Sequence, residues 1–199
     1  IKAIRSVDRV HDVQPGYFTD VVSTIGSTEY VFRVHSIPSE RIRKSNRNYI
    51  NRFKLTEGRY PEKSGECIIE DSSLIEPDLS VGDVIKVSSG KENESIGDIL
   101  VVDEFTVVGK AVTPYYLSYE KGPSEVGSGY VNSFMMILDK DFAYPVYTEA
   151  LVTVEGAKQL NSYGKEYKDL VSGVVTSLEN LGQDRSALRL EEIRKQAMD

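Results

Sequence analysis

Residues 55–71 read LTEGRYPEKSGECIIED, and this stretch places two turns directly before a short apolar run. Gly58 and Pro61 mark the first turn, Lys63-Ser64-Gly65 marks the second, and Cys67–Ile69 is rich in strand-forming residues. The local pattern therefore predicts a loop that enters a β-strand. No standard catalytic motif has this shape, so the role of the loop has to be read from the rest of the chain.

The composition limits the classes of protein to which the chain can belong. Its 199 residues suffice for one large domain or two small ones, and 40% hydrophobic residues permit a normal buried core. The net charge is −7 and the isoelectric point is near 5.0, with a mean hydropathy of −0.32. An acidic chain gains nothing from a phosphate backbone or an anionic lipid surface, so we expect no nucleic-acid partner.

The single cysteine and the two ends of the sequence bear on where in the cell the protein is located. Cys67 alone excludes an internal disulfide and a cysteine-based zinc cluster, and it is neutral between the cytosol and the cell exterior. The sequence contains no apolar run of 18 residues and no signal peptide. It begins at Ile1 and ends on RLEEIRKQAMD, partway into a predicted helix. We therefore expect a piece of a longer protein, with membrane segments in the missing flanks.

Periodicity predicts several strands before residue 158. TEYVFRVHSI (28–37) alternates between two faces, which predicts a half-buried strand with His35 on the polar, exposed side. Residues 83–89 and 98–112 flank a polar loop and predict a hairpin-like pair. YVNSFMMILD (130–139) and ALVTVEGA (150–157) are further predicted strands.

The clearest predicted helix covers residues 163–181. Its apolar stripe recurs at 3.6-residue spacing and consists of Tyr167, Leu170, Val171, Val174, Val175, Leu178 and Leu181. After Gly182 we expect a short separate segment, and then EEIRKQAMD as the start of a long charged helix. Strand and helix at both ends with a β-rich block between them indicate an α+β fold, in which residues 53–129 are inserted between 1–52 and 130–199.

Two polar segments are candidate interaction sites. The stretch 39–52 is arginine-rich, but it has only Tyr49 as an aromatic in an acidic chain, so we interpret it as a solvated connector. The loop 113–129 (TPYYLSYEKGPSEVGSG) is long, aromatic and glycine-rich, and long ordered loops are often functional. Ligand contact is open for four tyrosines, although we expect core packing of at least two of them. They are Tyr115, Tyr116, Tyr119 and Tyr130.

The sequence shows no pattern of catalytic, metal-binding or cofactor-binding residues. His11 and His35 lack metal-ligand spacing, and Cys67 is interpreted as a small buried hydrophobe rather than a nucleophile paired with His35. Gly127-Ser128-Gly129 is no dinucleotide fingerprint, because it leads into a strand. The carboxylates show no glycosidase or calcium-loop pattern; they are Glu66, Glu70, Asp71, Glu76, Asp78, Glu92, Glu94 and Asp98. We therefore expect a binding or force-transmitting module and not an enzyme.

Four short motifs, which follow one another along the chain, resemble those of one protein family and include residues 55–71. Leu55–Pro61 with Gly65-Glu66 and the apolar strand resembles the hydrophobic-x-x-Gly-Arg-x-Pro … Gly-Glu signature of MacB/FtsX-type permeases of ABC transporters. Val81–Val87 is similar to a Gly-Asp that leads into a strand in that family, and Phe105–Gly109 to its Phe-x-Val-Val-Gly strand. The block YYLSYEKGPSEVGSGYVNSFMMI resembles a Firmicutes subgroup in which a coiled-coil insertion follows, and EEIRKQAMD resembles its opening. The likeness covers roughly residues 8–199.

The resemblance implies a fold, a location and partners. It implies an α/β porter-like part, residues 1–52 and 130–199, with an inserted, mostly β sabre-like part, residues 53–129, on the extracellular side of the cell membrane. The implied partners are a cytosolic ABC ATPase subunit, a second permease copy, and an exported substrate or accessory protein. No cofactor is implied. The usual first strand and most of the first helix of the family are missing from this sequence.

Within that family frame the segment Gly58–Gly65 is interpreted as a rigid corner. Gly58 and Gly65 would supply unusual backbone angles, and Pro61 would stiffen the link. Three roles are open for Arg59: it pairs with a carboxylate such as Glu66, it reaches a carbonyl, or it is a simple surface arginine. A free-standing extracellular peptide- or wall-binding module is the alternative function. A cysteine or acid hydrolase is the third.

Overall fold

The computed structural model of the chain describes residues 1–38, 49–72 and 78–198. These residues contain two α-helices and nine β-strands, which confirms a mixed α+β fold with mostly sheet. In chain order they are α1 (Lys2–Arg5), β1 (Val10–Gly16), β2 (Phe18–Ile25), β3 (Thr28–Ile37), β4 (Lys54–Gly58), β5 (Glu66–Glu70), β6 (Val84–Lys86), β7 (Glu104–Val112), β8 (Ser133–Leu138), β9 (Glu149–Val154) and α2 (Lys165–Gln196).

The chain divides into two compact units. The first comprises Ile1–Pro15 and Ala150–Asp199, and the second is the continuous segment Gly16–Glu149. The predicted boundaries at residues 52/53 and 129/130 both lie inside the second unit. The assignment of porter-like and sabre-like parts to residue ranges stays a prediction.

The second unit is built on one sheet with the strand order β2-β3-β8-β5-β7-β4, and β6 pairs with β7. β3 runs parallel to β8 and β5 runs parallel to β7, while the other pairs are antiparallel. The two middle strands, β5 and β8, have near-continuous apolar runs, as strands covered on both faces require. The predicted pairing of residues 83–89 with 98–112 is confirmed by β6 and β7.

Two apolar clusters cover the two faces of this sheet, because neighbouring residues along a strand point to opposite sides. The larger cluster contains Phe32, Val34, Cys67, Phe105, Val107, Met135 and Ile137, and Tyr30 packs against it. The smaller contains Ile37, Ile68, Ala111, Phe134 and Met136, with Tyr115 and Tyr116 packed against it.

The polar face predicted for β3 is in fact buried. Val31 is fully buried and His35 is only 4% exposed, so the expectation of an exposed or edge histidine is wrong. The physical reason is that residues 115 and 116, about 80 positions further along the chain, cover this face of the sheet. Periodicity within a strand carries no information about a cover supplied from so far away.

The first unit pairs β1 with β9 and carries both helices. The N–H of Asp12 donates to Oγ1 of Thr153 at 3.1 Å, and the N–H of Glu155 donates to the carbonyl of Arg9 at 2.8 Å. α2 runs through Gly182 without interruption, so the predicted break there is wrong. A single glycine costs a helix only about 1 kcal/mol, which a 32-residue helix tolerates.

The apolar stripe of α2 is only partly covered. Val174 is its one buried residue among the described positions, while the other predicted stripe residues are half-buried or exposed. Leu188, Leu190 and Ile193 are about half exposed. Within the described residues, no helix combines the length and the apolar character that crossing a membrane requires.

Two sequence predictions fall outside the described residues. Positions 39–48 of the arginine-rich stretch and Glu76 lie there. Of the described remainder of that stretch, Tyr49 packs against the smaller cluster.

Candidate functional site

The corner at the end of β4 depends on a close approach between two backbones. Gly58 has φ of +72° and faces Gly109 on β7. A Cβ on Gly58 would lie 2.2 Å from the carbonyl oxygen of Val108, and one on Gly109 would lie 2.8 Å from the carbonyl oxygen of Arg59. Only glycine fits at either position, as the sequence predicts for Gly58.

Glu66 organises the loop that follows the corner. Its carboxylate accepts from Nη1 and Nη2 of Arg59 at 2.9 and 2.6 Å, and from the backbone N–H groups of Glu62 and Lys63 at 2.8 and 3.3 Å. Glu66 is 3% exposed. These hydrogen bonds, those of Arg59 above all, stabilise the ionised form and lower the pKa of Glu66 to about 2. The predicted pairing of Arg59 with Glu66 is confirmed.

The second turn is held by a buried carboxylate that the sequence did not reveal. Asp141 is fully buried and accepts from Oγ of Ser64 and from the N–H of Gly65, the latter at 3.2 Å. Gly65 has φ of +76°, as predicted. Asp141 lies more than 70 residues beyond these partners, so no local sequence pattern joins them.

The Gly-Arg-x-Pro, Gly-Glu, Gly-Asp and Phe-x-Val-Val-Gly segments meet in one hydrogen-bonded junction around β7. The N–H of Arg59 donates to the carbonyl of Val108, and the N–H of Thr106 donates to the carbonyl of Gly65. Both backbone groups of Val107 bond to the Gly-Asp motif: its carbonyl accepts from the N–H of Gly82, and its N–H donates to the carbonyl of Asp83. Four segments that are scattered over 55 residues of sequence thus form a single structural unit.

Aromatic side chains hold the loop 113–129 against the face of the sheet that the smaller cluster covers. His35 stacks on Tyr115 with ring centroids 4.4 Å apart, and its Nε2 lies 2.8 Å from the hydroxyl of Tyr116. Tyr116 stacks in turn on Phe134. Burial raises the pKa of both tyrosines, so both keep their hydroxyl protons.

Polar anchors fix the rest of this loop. Nζ of Lys121 lies 3.1 Å from Oε2 of Glu70, with the lysine side chain 1% exposed, and Oγ of Ser133 donates to the same oxygen at 3.0 Å. Arg33 donates to the carbonyl of Pro123 at 2.9 Å and forms a two-pronged pair with Asp20. Neither cation–carboxylate pair was foreseen from the sequence, since the residues of each are separated by at least 13 positions.

The four candidate tyrosines divide into two groups. Tyr115 and Tyr116 pack against the smaller cluster, which confirms that at least two of the four serve the core. Tyr119 and Tyr130 are 83% and 70% exposed. Next to them in the loop, Leu117 is almost fully exposed.

The remaining candidates for chemistry are not brought together. Cys67 is buried in the larger cluster, where burial raises the pKa of its thiol, whereas His35 faces the smaller cluster on the opposite side of the sheet. His11 is exposed on β1. Within the described ranges, no three histidine, cysteine, aspartate or glutamate side chains are placed to share a metal ion.

Comparisons with solved structures find similar chains, among them the following two. The chain is similar to the extracellular domain of the noncanonic ABC-type transporter YknZ from Gram-positive bacteria, at 15% identity and a TM-score of 0.42, covering 86% of this chain and 80% of that one. It is also similar to the periplasmic region of MacB from Actinobacillus actinomycetemcomitans, at 10% identity and a TM-score of 0.41, covering 90% and 71%. No family model and no curated protein matches the sequence.

Proposed function

We propose that the chain is the extracytoplasmic domain of an ABC-transporter permease of the MacB/FtsX type. In this role it is a non-enzymatic module that couples ATP hydrolysis by a cytosolic subunit to conformational change, or to substrate export, outside the membrane. The observation that carries the proposal is the junction around β7, where the Gly-Arg-x-Pro, Gly-Glu, Gly-Asp and Phe-x-Val-Val-Gly segments that resemble that family meet. Their contact in one structural unit supports interpreting them together as one signature rather than as separate short matches.

The construction of the junction suits a part that transmits movement. Backbone contacts at Gly58 and Gly109 leave no room for sliding, and the buried carboxylates of Glu66 and Asp141 fix both turns of the corner. A close-packed, fully hydrogen-bonded unit moves as a rigid body, because interiors of this kind do not deform continuously. A displacement applied at β4 would therefore reach β5 and β7 undiminished.

The partners follow from the proposed role. We propose a cytosolic ABC ATPase subunit, a second permease copy, and an exported substrate or an accessory protein on the outer side. The cysteine hydrolase alternative has lost its geometric basis, since Cys67 and His35 lie on opposite faces of the sheet. That the domain has no catalytic function of its own is part of this proposal.

The test uses the full-length protein in intact cells. Membranes are extracted with alkaline carbonate, and cells are shaved with a protease while an antibody to this domain reports its loss. We expect the protein to stay in the membrane pellet and the domain to be removed from outside. Extraction as a soluble protein would favour the free-standing binding module, and protection inside intact cells would refute an extracytoplasmic location altogether.

A further inference from the structure

β2 is an edge strand of the sheet, and its outward backbone groups are only partly covered. In a strand, successive residues turn their N–H and C=O groups to alternate sides. Val22 exchanges two backbone hydrogen bonds with Ser88, on the side away from β3. The N–H and C=O groups of every second residue counted from Val22, Phe18 and Asp20 among them, therefore also point away from β3.

The outward groups of Phe18 are covered as well. Its N–H donates to Oγ1 of Thr148 at 2.7 Å, and the same hydroxyl donates to its carbonyl at 3.2 Å. Asp20 lies midway between this side-chain cap and the Ser88 pair. Among the residues that the structure describes, none covers the N–H or C=O of Asp20, and these groups therefore form a gap between two covered positions of the edge.

A cleft of about 690 Å³ opens at this gap. Its lining comes from both faces of the sheet: Phe18 and Arg33 lie on one face, and Thr19 lies on the other, where its Oγ1 accepts from the hydroxyl of Tyr144 at 3.1 Å. Val126 contributes further apolar wall. The cleft is thus centred on the edge of the sheet and continues over both of its surfaces.

We infer that this cleft binds an extended segment of another polypeptide by strand addition to β2. Main-chain groups of the segment would pair with the N–H and C=O of Asp20, and its alternate side chains would lie against Phe18 on one face and Tyr144 on the other. The distance from Phe18 to Val22 is about 13 Å in an extended strand, which limits the paired part to about three residues.

The charges of the cleft restrict the sequence of the segment. Its lining has three carboxylates, Asp20, Glu94 and Glu125, and two cations, Arg33 and Lys91. Asp20 holds Arg33 at 2.7 Å, whereas Lys91 is 3.7 and 3.9 Å from Glu94 and Glu125. Apart from the Asp20–Arg33 pair, two carboxylates share the one cation Lys91, so the lining carries an excess of one negative charge and neutral or basic segments are favoured over acidic ones.

This inference does not depend on the proposed function. The cleft belongs entirely to the second unit, and a permease domain or a free-standing module would use it in the same way. Localisation in the cell tests the proposed function, and peptide binding by the purified chain tests the cleft. Either can fail alone.

The experiment selects binders from a displayed library of random linear peptides with the purified 199-residue chain. The enriched peptides are then synthesised for titration and hydrogen exchange. We expect them to slow exchange at the amide of Asp20, and to lose at least about tenfold in affinity when the single amide that donates to the carbonyl of Asp20 is N-methylated, but not when either neighbouring amide is. We also expect acidic residues to be depleted among them.

Two protein variants give the matched control. Asp20→Ala and Asp20→Pro both remove the carboxylate, but only the proline removes the N–H, and an edge strand tolerates proline where its N–H faces outward. Binding should fall at least about tenfold further in Asp20→Pro than in Asp20→Ala. The inference is overturned if no enriched peptide binds, or if binding is indifferent to N-methylation. The inference also fails if Asp20→Pro is folded and binds the peptides as tightly as Asp20→Ala does. If Asp20→Pro does not fold, the comparison of N-methylated with unmodified peptides decides.

Discussion

The two carboxylates of β5 are each paired with a cation, and their surroundings are opposite. Glu66 is buried, while the side chain of its partner Arg59 is 47% exposed. In the other pair the cation is the buried member: the side chain of Lys121 is 1% exposed, and that of Glu70 is 16% exposed. One pair therefore keeps its cation in water, and the other removes its cation from water almost completely.

The difference shows what each pair depends on. Glu66 accepts four hydrogen bonds, two of them from backbone N–H groups that remain after any side-chain substitution other than proline. Lys121 has Glu70 and, at 3.4 Å, the carbonyl of Tyr119. A buried ammonium has lost its hydration and relies on its counter-ion, so Lys121 depends on the single charge of Glu70, whereas Glu66 is held by four hydrogen bonds.

The largest effect is expected from breaking the buried pair. Lys121→Met leaves Glu70 without its cation and removes an anchor of the loop 113–129, which should lower the free energy of unfolding by about 4 kcal/mol. Urea unfolding at neutral pH measures the change. The double variant Lys121→Met with Glu70→Gln should recover most of the loss, because no unpaired charge remains. A single variant as stable as the parent would show that the pair does not hold the loop.

The second effect concerns the backbone that aims Arg59 at Glu66. Gly58→Ala adds a Cβ that meets the carbonyl oxygen of Val108 and holds alanine at φ of +72°, which together should cost about 3 kcal/mol. Gly129→Ala is the matched control, since its φ is +82° and its Cβ would meet nothing within 4 Å. It should cost about 1 kcal/mol. Equal losses in urea unfolding would mean that the contact with β7 yields easily.

The same contrast explains how much the sequence could predict. Arg59 and Glu66 are seven residues apart in a segment rich in turn formers, so their pairing and the special angles of Gly58 and Gly65 follow from local patterns. Five strands of the second unit likewise follow from alternation and apolar runs, namely β3, β5, β6, β7 and β8. Each of these features depends on neighbours along the chain.

Features that join distant segments were not predictable in this way. Lys121 meets Glu70 across 51 residues, and His35 is buried by tyrosines 80 and 81 positions away. A charged residue in a glycine-rich loop and a histidine on a polar strand face both predict exposure when the cover is unknown. The cleft beside Asp20 likewise exists only because β2 is at the edge of the sheet.

The smallest effect is the pH dependence of the corner. The folded-state pKa of Glu66 is about 2, below its ordinary value of 4.5. The carboxylate therefore stabilises the fold fully above pH 4.5, and this contribution is lost as the pH falls towards 2. Removing the guanidinium with Arg59→Ala should raise the titration midpoint of the Glu66 carboxyl carbon in NMR, without restoring it completely, because the N–H groups of Glu62 and Lys63 remain. Lys63→Ala keeps that backbone donor and should leave the midpoint unchanged. If Arg59→Ala also left it unchanged, the backbone alone would hold the carboxylate, and the exposed arginine would be an accessory to the corner.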